Sequence, residues 1–307
     1  MGKKAALLIV LGLIAAFEVA YYVHYGVEPL TEAMKPKISK ISLSWGNVTY
    51  DFTEIIAEVS VYNPTFITIT LKKITFGLYM NNIKMVAGSS ERSVSLAGFR
   101  ETAIRLVGRL NNSRIPEWFI SHLENGEQTN VRLSGTVLLD LKIMEAVYSF
   151  ERTLNITTDM LAGMSTNQSK IFMMGPVELM LKSLTSSWGR ISSNEVEINH
   201  KVVVYNPNRY PIPITKIEYE VYMNNIRMGG GTSYNPAILG AKSNTIILFT
   251  TMLNTTLLDE WWITHIKNGE KTKITIEIYS VIEINGVAYK IRIYELEQTL
   301  TTNLLAF

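Results

Sequence analysis

Four histidines, His24, His122, His200 and His265, are the whole pool of imidazole bases in this 307-residue chain, which has no cysteine. Thiolate nucleophiles, thiolate metal sites and disulfides are therefore excluded. His122 and His265 each stand four residues after a tryptophan, Trp118 and Trp261, with no second ligand at metal-binding spacing. They read as residues that pack or cap a helix. His200 falls on the apolar face of a strand and reads as a rim residue of that face. Gly229-Gly230-Gly231 lacks the Lys-Ser/Thr that completes a phosphate loop and reads as a strand-edge irregularity. No serine has a nucleophile-elbow context. Asp259-Glu260 open a helix, where its dipole favours acids. Nucleophilic catalysis needs a base beside the nucleophile, and metal hydrolysis needs about three convergent ligands. The chain assembles neither locally, so the expectation is no catalytic residue, no cofactor, no metal and no enzyme activity. With 29 basic against 27 acidic side chains it also lacks the basic footprint of a nucleic-acid binder.

The elements that hold these residues are organised by an internal repeat. Trp45-Gly46 returns 143 residues later as Trp188-Gly189, and Val61-Tyr62-Asn63-Pro64 as Val204-Tyr205-Asn206-Pro207. At the same offset Tyr79 to Ile83 returns as Tyr222 to Ile226, and Trp118, His122 and Asn125-Gly126-Glu127 as Trp261, His265 and Asn268-Gly269-Glu270. The unit exceeds 100 residues, so each copy is a domain and not a solenoid turn.

Within each copy Ile55, Ala57, Val59 and Val61, then Val196, Ile198, His200, Val202 and Val204, alternate with polar or neutral neighbours, the period of a half-buried strand. Both strands end at Asn-Pro, because proline lacks a donor and pushes its predecessor out of the helical region. The Asn206 side chain is expected to bond nearby backbone, with Asn206→Ala costing about 1–2 kcal/mol. Asn81-Asn82 and Asn224-Asn225 predict tight hairpins, and Asn285-Gly286 a third. One helix per copy interrupts the strands. Ser113 caps the first, Pro116 sits in its first turn and Asn125-Gly126 stops it; the second runs near Leu258 to Lys267. Trp261 and Trp262 are adjacent, so an exposed ring on this helix is a candidate contact with a membrane interface or a protein partner, against packing at the sandwich edge. The chain is expected to be mainly β, two tandem antiparallel sandwiches with one short helix each.

Ahead of the repeat, an apolar run from Ala5 to Tyr25 follows Lys3 and Lys4. About 20 such residues span a bilayer, and the lysines keep the N-terminus cytoplasmic. Glu18 lies toward the outer third, and Tyr21, Tyr22 and Tyr25 suit an interfacial belt. A cleaved signal peptide is the rival reading, but cleavage after Ala16 or Ala20 leaves Ile14 or Glu18 at the critical position. The expected layout is a single-pass cell-membrane anchor with a short cytoplasmic tail at 1–27, a first domain at 38–158, a linker at 159–176 and a second domain at 177–307, both domains outside the cytoplasm. The linker carries Met160, Met164, Ile171, Phe172, Met173 and Met174, which read as filling the groove between the domains. Asn47, Asn111, Asn155, Asn167 and Asn254 begin Asn-x-Ser/Thr triplets and are candidate glycosylation sites.

Asn206-Pro207-Asn208, followed by Pro211-Ile212 and the Ile217-Glu218-Tyr219 strand, resembles the late-embryogenesis-abundant group 2 family, the WHy domain. The first copy keeps Asn63-Pro64 but has Thr65 and Thr68 where the second has Asn208 and Pro211. The resemblance covers both copies and not the anchor. It implies seven-stranded fibronectin-like sandwiches with one helix, no enzyme activity, and roles in desiccation or stress protection, membrane-surface contact or lipid binding. Tandem copies behind one anchor look more like archaeal members than single-domain plant ones.

Overall fold

The computed structural model describes residues 37–140, 145–161, 165, 167, 169–174, 177–214, 216–233, 237–284, 287–302, 304 and 305. The expected anchor lies outside them. Among the described residues no helix is long and apolar enough to cross a membrane. The chain divides into two compact units, the first ending at Thr157 and the second running from Thr158 to Thr301.

The first unit comprises β1 (Lys37–Val48), β2 (Phe52–Tyr62), β3 (Ile69–Met80), β4 (Ile83–Ser90), β5 (Val94–Leu96), β6 (Glu101–Asn111), α1 (Ile115–Glu124), β7 (Gln128–Asp140) and β8 (Glu145–Thr157). Its strands pair in the order β1-β2-β6-β4-β3-β7-β8, with β5 beside β3. The ladder is unbroken, so one antiparallel sheet curls over itself rather than two separate sheets meeting. Inward residues interdigitate across the curl: Val59, Ile74, Ile104, Leu106, Leu133, Val137 and Leu139 are all at most 1% exposed. The alternation in β2 predicts this face, and Ala57, Val59 and Val61 are all buried.

The second unit repeats the plan as β9 (Lys170–Met174), β10 (Val177–Ile191), β11 (Glu195–Asn206), β12 (Ile212–Ile214), β13 (Lys216–Met223), β14 (Ile226–Ser233), β15 (Ala237–Leu239), β16 (Ser243–Asn254), α2 (Leu258–Lys267), β17 (Lys271–Ile284) and β18 (Val287–Thr301). The order is β18-β17-β13-β14-β16-β11-β10-β9, with β12 and β15 as a separate pair. Each unit therefore has eight strands in its main sheet, one more than the resemblance implies. In the first unit the eighth strand is β5; in the second it is β9, which comes from the expected linker and forms the sheet edge beside β10, where Ile171 and Met173 stay exposed.

Turn chemistry fixes the register. Asn81 and Asn82 have φ of 49° and 66°, and Asn224 and Asn225 of 50° and 66°. Asparagine tolerates this region, and two such residues make the turn that matches strand twist. The Asn285-Gly286 turn lies outside the described residues, while Ile284 and Val287 pair on either side of it. Both helices stop at a glycine with positive φ, Gly126 at 65° and Gly269 at 68°.

The entry to each helix differs from the expected serine cap. A 3-10 turn, Asn112–Arg114 or Thr255–Leu257, precedes the helix, and the capping side chains are Asn111 and Asn254. Asn111 Oδ1 accepts from the Ser113 amide at 3.1 Å and hydroxyl at 2.8 Å, and Asn254 Oδ1 accepts from Thr256 in the same way at 3.0 and 2.7 Å. Two of the five glycosylation candidates thus have a structural role: the same Asn-x-Ser/Thr spacing builds an Asx turn. Asn111 is exposed and Asn254 half-buried, while Asn47, Asn155 and Asn167 are exposed.

Candidate functional site

Three buried polar clusters organise the units, two of them present in both copies. The first is the Asn-Pro corner. Asn206 is fully buried. Its Nδ2 donates to the carbonyls of Tyr210 at 3.0 Å and Leu239 at 2.9 Å, and its Oδ1 accepts from the Asn208 amide at 2.9 Å and side chain at 2.8 Å. Asn63 repeats this with the carbonyls of Ile67 at 2.7 Å and Leu96 at 3.1 Å, and with the Thr65 amide at 3.0 Å and hydroxyl at 2.8 Å. The replacement of Asn208 by Thr65 is explained: both offer a backbone and a side-chain donor to the same oxygen. Pro64 and Pro207 are half-buried and hold the chain extended as it leaves the strand.

The second cluster joins helix to sheet. Thr272 Oγ1 accepts from the Trp261 indole N–H at 2.9 Å and lies 2.7 Å from His265 Nδ1. Thr129 does the same for Trp118 at 3.0 Å and His122 at 2.7 Å. His122 and His265 are buried, and burial lowers both imidazole pKa values from their usual range. The pattern is structural in both copies, and the threonine that completes it, eleven residues after the tryptophan, is a matched position that the repeat offers. Trp262 is buried, and Trp261 is half-buried with its N–H bonded to Thr272. The helix turns one ring into the core and lays the other over the sheet, where Thr272 meets its only donor. Thr272→Val is expected to destabilise the second unit by about 2 kcal/mol, because it removes the acceptor of a half-buried indole N–H and the hydroxyl partner of a buried imidazole nitrogen. Thr272→Ser should recover most of that in a urea titration; equal losses for the two variants would rule out the hydrogen bonds as the cause.

The third cluster belongs to the second unit alone. His200 sits in the apolar face of β11, where its counterpart is Ala57. It is 9% exposed. Its Nδ1 lies 2.9 Å from the Ser186 hydroxyl and its Nε2 2.9 Å from the Thr251 hydroxyl. The matched positions in the first unit are Leu43 and Gly108. His200 stacks on Phe249 at 4.8 Å, and Phe249 lies 5.4 Å from the Tyr219 ring. Burial pushes the His200 pKa down to about 4, so the ring is neutral at pH 7. A serine beside a histidine is half of a nucleophile–base pair, but here a threonine hydroxyl, not a carboxylate, holds the far nitrogen. Among the described residues no group of three or more His, Asp or Glu side chains is placed to hold a metal ion.

Beside this cluster the sheet opens. In the first unit β4 and β6 pair at five positions, from Val86↔Leu110 to Ser90↔Leu106. In the second, β14 and β16 pair only at Gly229↔Leu253. Gly229 is required there: a side chain on it would strike the Met252 carbonyl. The triple glycine is therefore not at a sheet edge but in an interior strand where backbones close and then part. Beyond that point the Tyr219 hydroxyl donates to the Thr250 carbonyl. Phe76, at the same position in the first unit, has no hydroxyl to insert. The parted strands border a cleft of about 620 Å³, lined by Thr232 and Ser233 on β14, by Leu248, Phe249 and Thr250 on β16, and by β10 and β11 beyond.

A family model for late embryogenesis abundant protein matches residues 58–152 and again 201–291, together more than half of the chain. The chain belongs to the LEA_2 family. It holds two LEA_2 domains in tandem, a family whose members are generally without enzyme activity. A crystal structure of a protein from Archaeoglobus fulgidus is 33% identical, covers 40% of this chain and 98% of its own, and has a TM-score of 0.36. A solution structure from Arabidopsis thaliana is 18% identical over 42% of this chain and 88% of its own, with a TM-score of 0.29. A glycosyl hydrolase family 2 structure from Bacteroides cellulosilyticus covers 81% of this chain and 28% of its own at 8% identity and a TM-score of 0.25, which carries no argument about activity. No curated protein matches. Both LEA_2 domains carry the Asn-Pro corner and the Trp-His-Thr cluster, whereas the His200 cluster and the opened sheet are particular to the second.

Proposed function

We propose that this LEA_2 chain is a non-enzymatic module held at the cell membrane by residues 5–25, displaying both domains outside the cytoplasm for structural or stress-protective work. The observation that carries this reading is the use made of the repeated residues. Asn63 and Asn206, His122 and His265, and Thr129 and Thr272 are all buried and hydrogen-bonded within their own domains. These shared residues build the stability of each domain. The packed first core, with its buried residues at most 5% exposed, favours this over carriage of a lipid inside the sandwich.

Membrane fractionation tests it. The full chain is expected in the membrane pellet, released by detergent and not by salt or carbonate. A chain lacking residues 1–27 is expected to be soluble and monomeric, because the continuous spanning stretch is gone. That soluble form should preserve a labile enzyme through drying better than an equal mass of an unrelated β-sandwich protein. A full chain that stays in the supernatant would remove the anchor, and equal enzyme losses would remove the protective role.

A further inference from the structure

We infer that the cleft between β14 and β16 of the second domain is a binding site for a neutral polyhydroxylated ligand of the size of a disaccharide. Three observations point there, none of which depends on the anchor or on a protective role. The first is the parted ladder. Thr232 and Ser233 pair with β13 on one side, at Glu218 and Ile217, but not with β16 on the other, where Ser89 and Ser90 of the first domain pair with Val107 and Leu106. The borders of the cleft thus present backbone that a ladder would otherwise use. A ligand suited to such a border both donates and accepts, as sugar hydroxyls do.

The second observation is the lining. Five hydroxyl-bearing residues line the cleft, Thr185, Ser187, Thr232, Ser233 and Thr250, together with Asn199, whose side-chain oxygen accepts from the Thr250 hydroxyl at 2.9 Å. Leu248 and Phe249 supply apolar surface for the C–H face of a sugar ring. Lys201 is the one formal charge among the described lining residues. His200 beneath Phe249 is neutral at pH 7, so the floor adds no second cation.

The third is the contrast with the first domain, an internal control on the same scaffold. There Arg105 stands where Leu248 does and Glu58 where Lys201 does. Arg105 pairs with Glu58 at 3.5 Å and Glu91 at 3.2 Å across the same face. Serines already stand at four of the matched hydroxyl positions, Ser42, Ser44, Ser89 and Ser90, so what the second domain has changed is the ion pair laid over them, which it lacks. An added peptide strand is the other occupant a parted sheet could take, and an extended hexapeptide separates the two in the test.

The test is isothermal titration of the full chain, in a detergent without a sugar headgroup, with maltose and sucrose. Sodium sulfate and an extended hexapeptide serve as comparators. Saturable binding of at least one disaccharide with a Kd on the order of millimolar is expected. Leu248→Arg with Lys201→Glu, which installs the first domain's ion pair, should weaken it at least about tenfold with the urea midpoint unchanged. Thr232→Val with Ser233→Ala should weaken it by a similar factor, and stands as the test if the first pair does not fold. The inference is overturned by no saturation up to about 100 mM sugar. It is overturned equally by undiminished affinity in both variants, or by sulfate or the hexapeptide binding more tightly than either sugar.

Discussion

Asn206→Ala is expected to destabilise the second domain by about 3–4 kcal/mol, roughly twice what a strand-end asparagine would cost. The side chain is fully buried and makes four hydrogen bonds of 2.8 to 3.0 Å. Removing it leaves the carbonyl of Leu239 without its partner, in a residue of zero exposure, and strips the Asn208 amide of its acceptor. Each orphaned buried group costs about 1–3 kcal/mol, and alanine leaves too little room for several waters to replace the amide. The loss should appear in urea unfolding as a lower midpoint for the second domain, with the first domain's transition in place. Asn63→Ala should do the reverse. Asn208→Ala is the control, because Asn208 is half-exposed and solvent can replace its bonds; about 1 kcal/mol is expected. An Asn206→Ala loss no larger than that of Asn208→Ala would show that the corner is held by Pro207 and strand pairing alone.

The second large effect is acid sensitivity confined to one domain. The imidazole of His200 is buried between two hydroxyls and its pKa falls to about 4, through burial alone. In the unfolded chain it titrates near 6.5. Between these values the unfolded form holds a proton that the folded form refuses. Stability is therefore complete above pH 6.5 and is lost as the pH falls toward 4, by about 3 kcal/mol from this one group. Across Phe249 stands Tyr219, whose pKa is raised by burial, so it stays neutral throughout. His265 shifts in the same direction in this domain and His122 in the first, so both domains weaken in acid, the second more steeply. His200→Gln keeps hydrogen-bonding capacity without the titration. It should flatten the pH dependence of the second domain's unfolding between 6.5 and 4 to resemble that of the first. A slope identical to that of the native chain would mean His200 is not the acid-sensitive group.

These effects mark where local information ended. The repeat, the Asn-Pro corners, the Asn-Asn hairpins and the second helix were legible because each rests on neighbours in sequence: a turn needs particular backbone angles at adjacent residues, and a strand face needs alternation. Leu258–Lys267 is the helix the residues predict. The helix caps were misplaced by two residues at Ser113, because a hydroxyl that donates to Asn111 looks in sequence like one that accepts from the helix. The weight of Asn206 was understated for a related reason: Leu239, one of its partners, is 33 residues away. Thr272 carried no mark of its own, since a threonine in an alternating strand has no role until a tryptophan and a histidine from α2 are laid over it. His200 was legible only as a polar residue on an apolar face. Its two hydroxyl partners come from strands on either side, and pairing register alone decides that they meet. The opened cleft has the same origin. Sequence could show the three glycines of β14 and a tyrosine in place of Phe76, but only the packed sheet shows that one glycine lets the backbones touch and the tyrosine hydroxyl takes the carbonyl where they part.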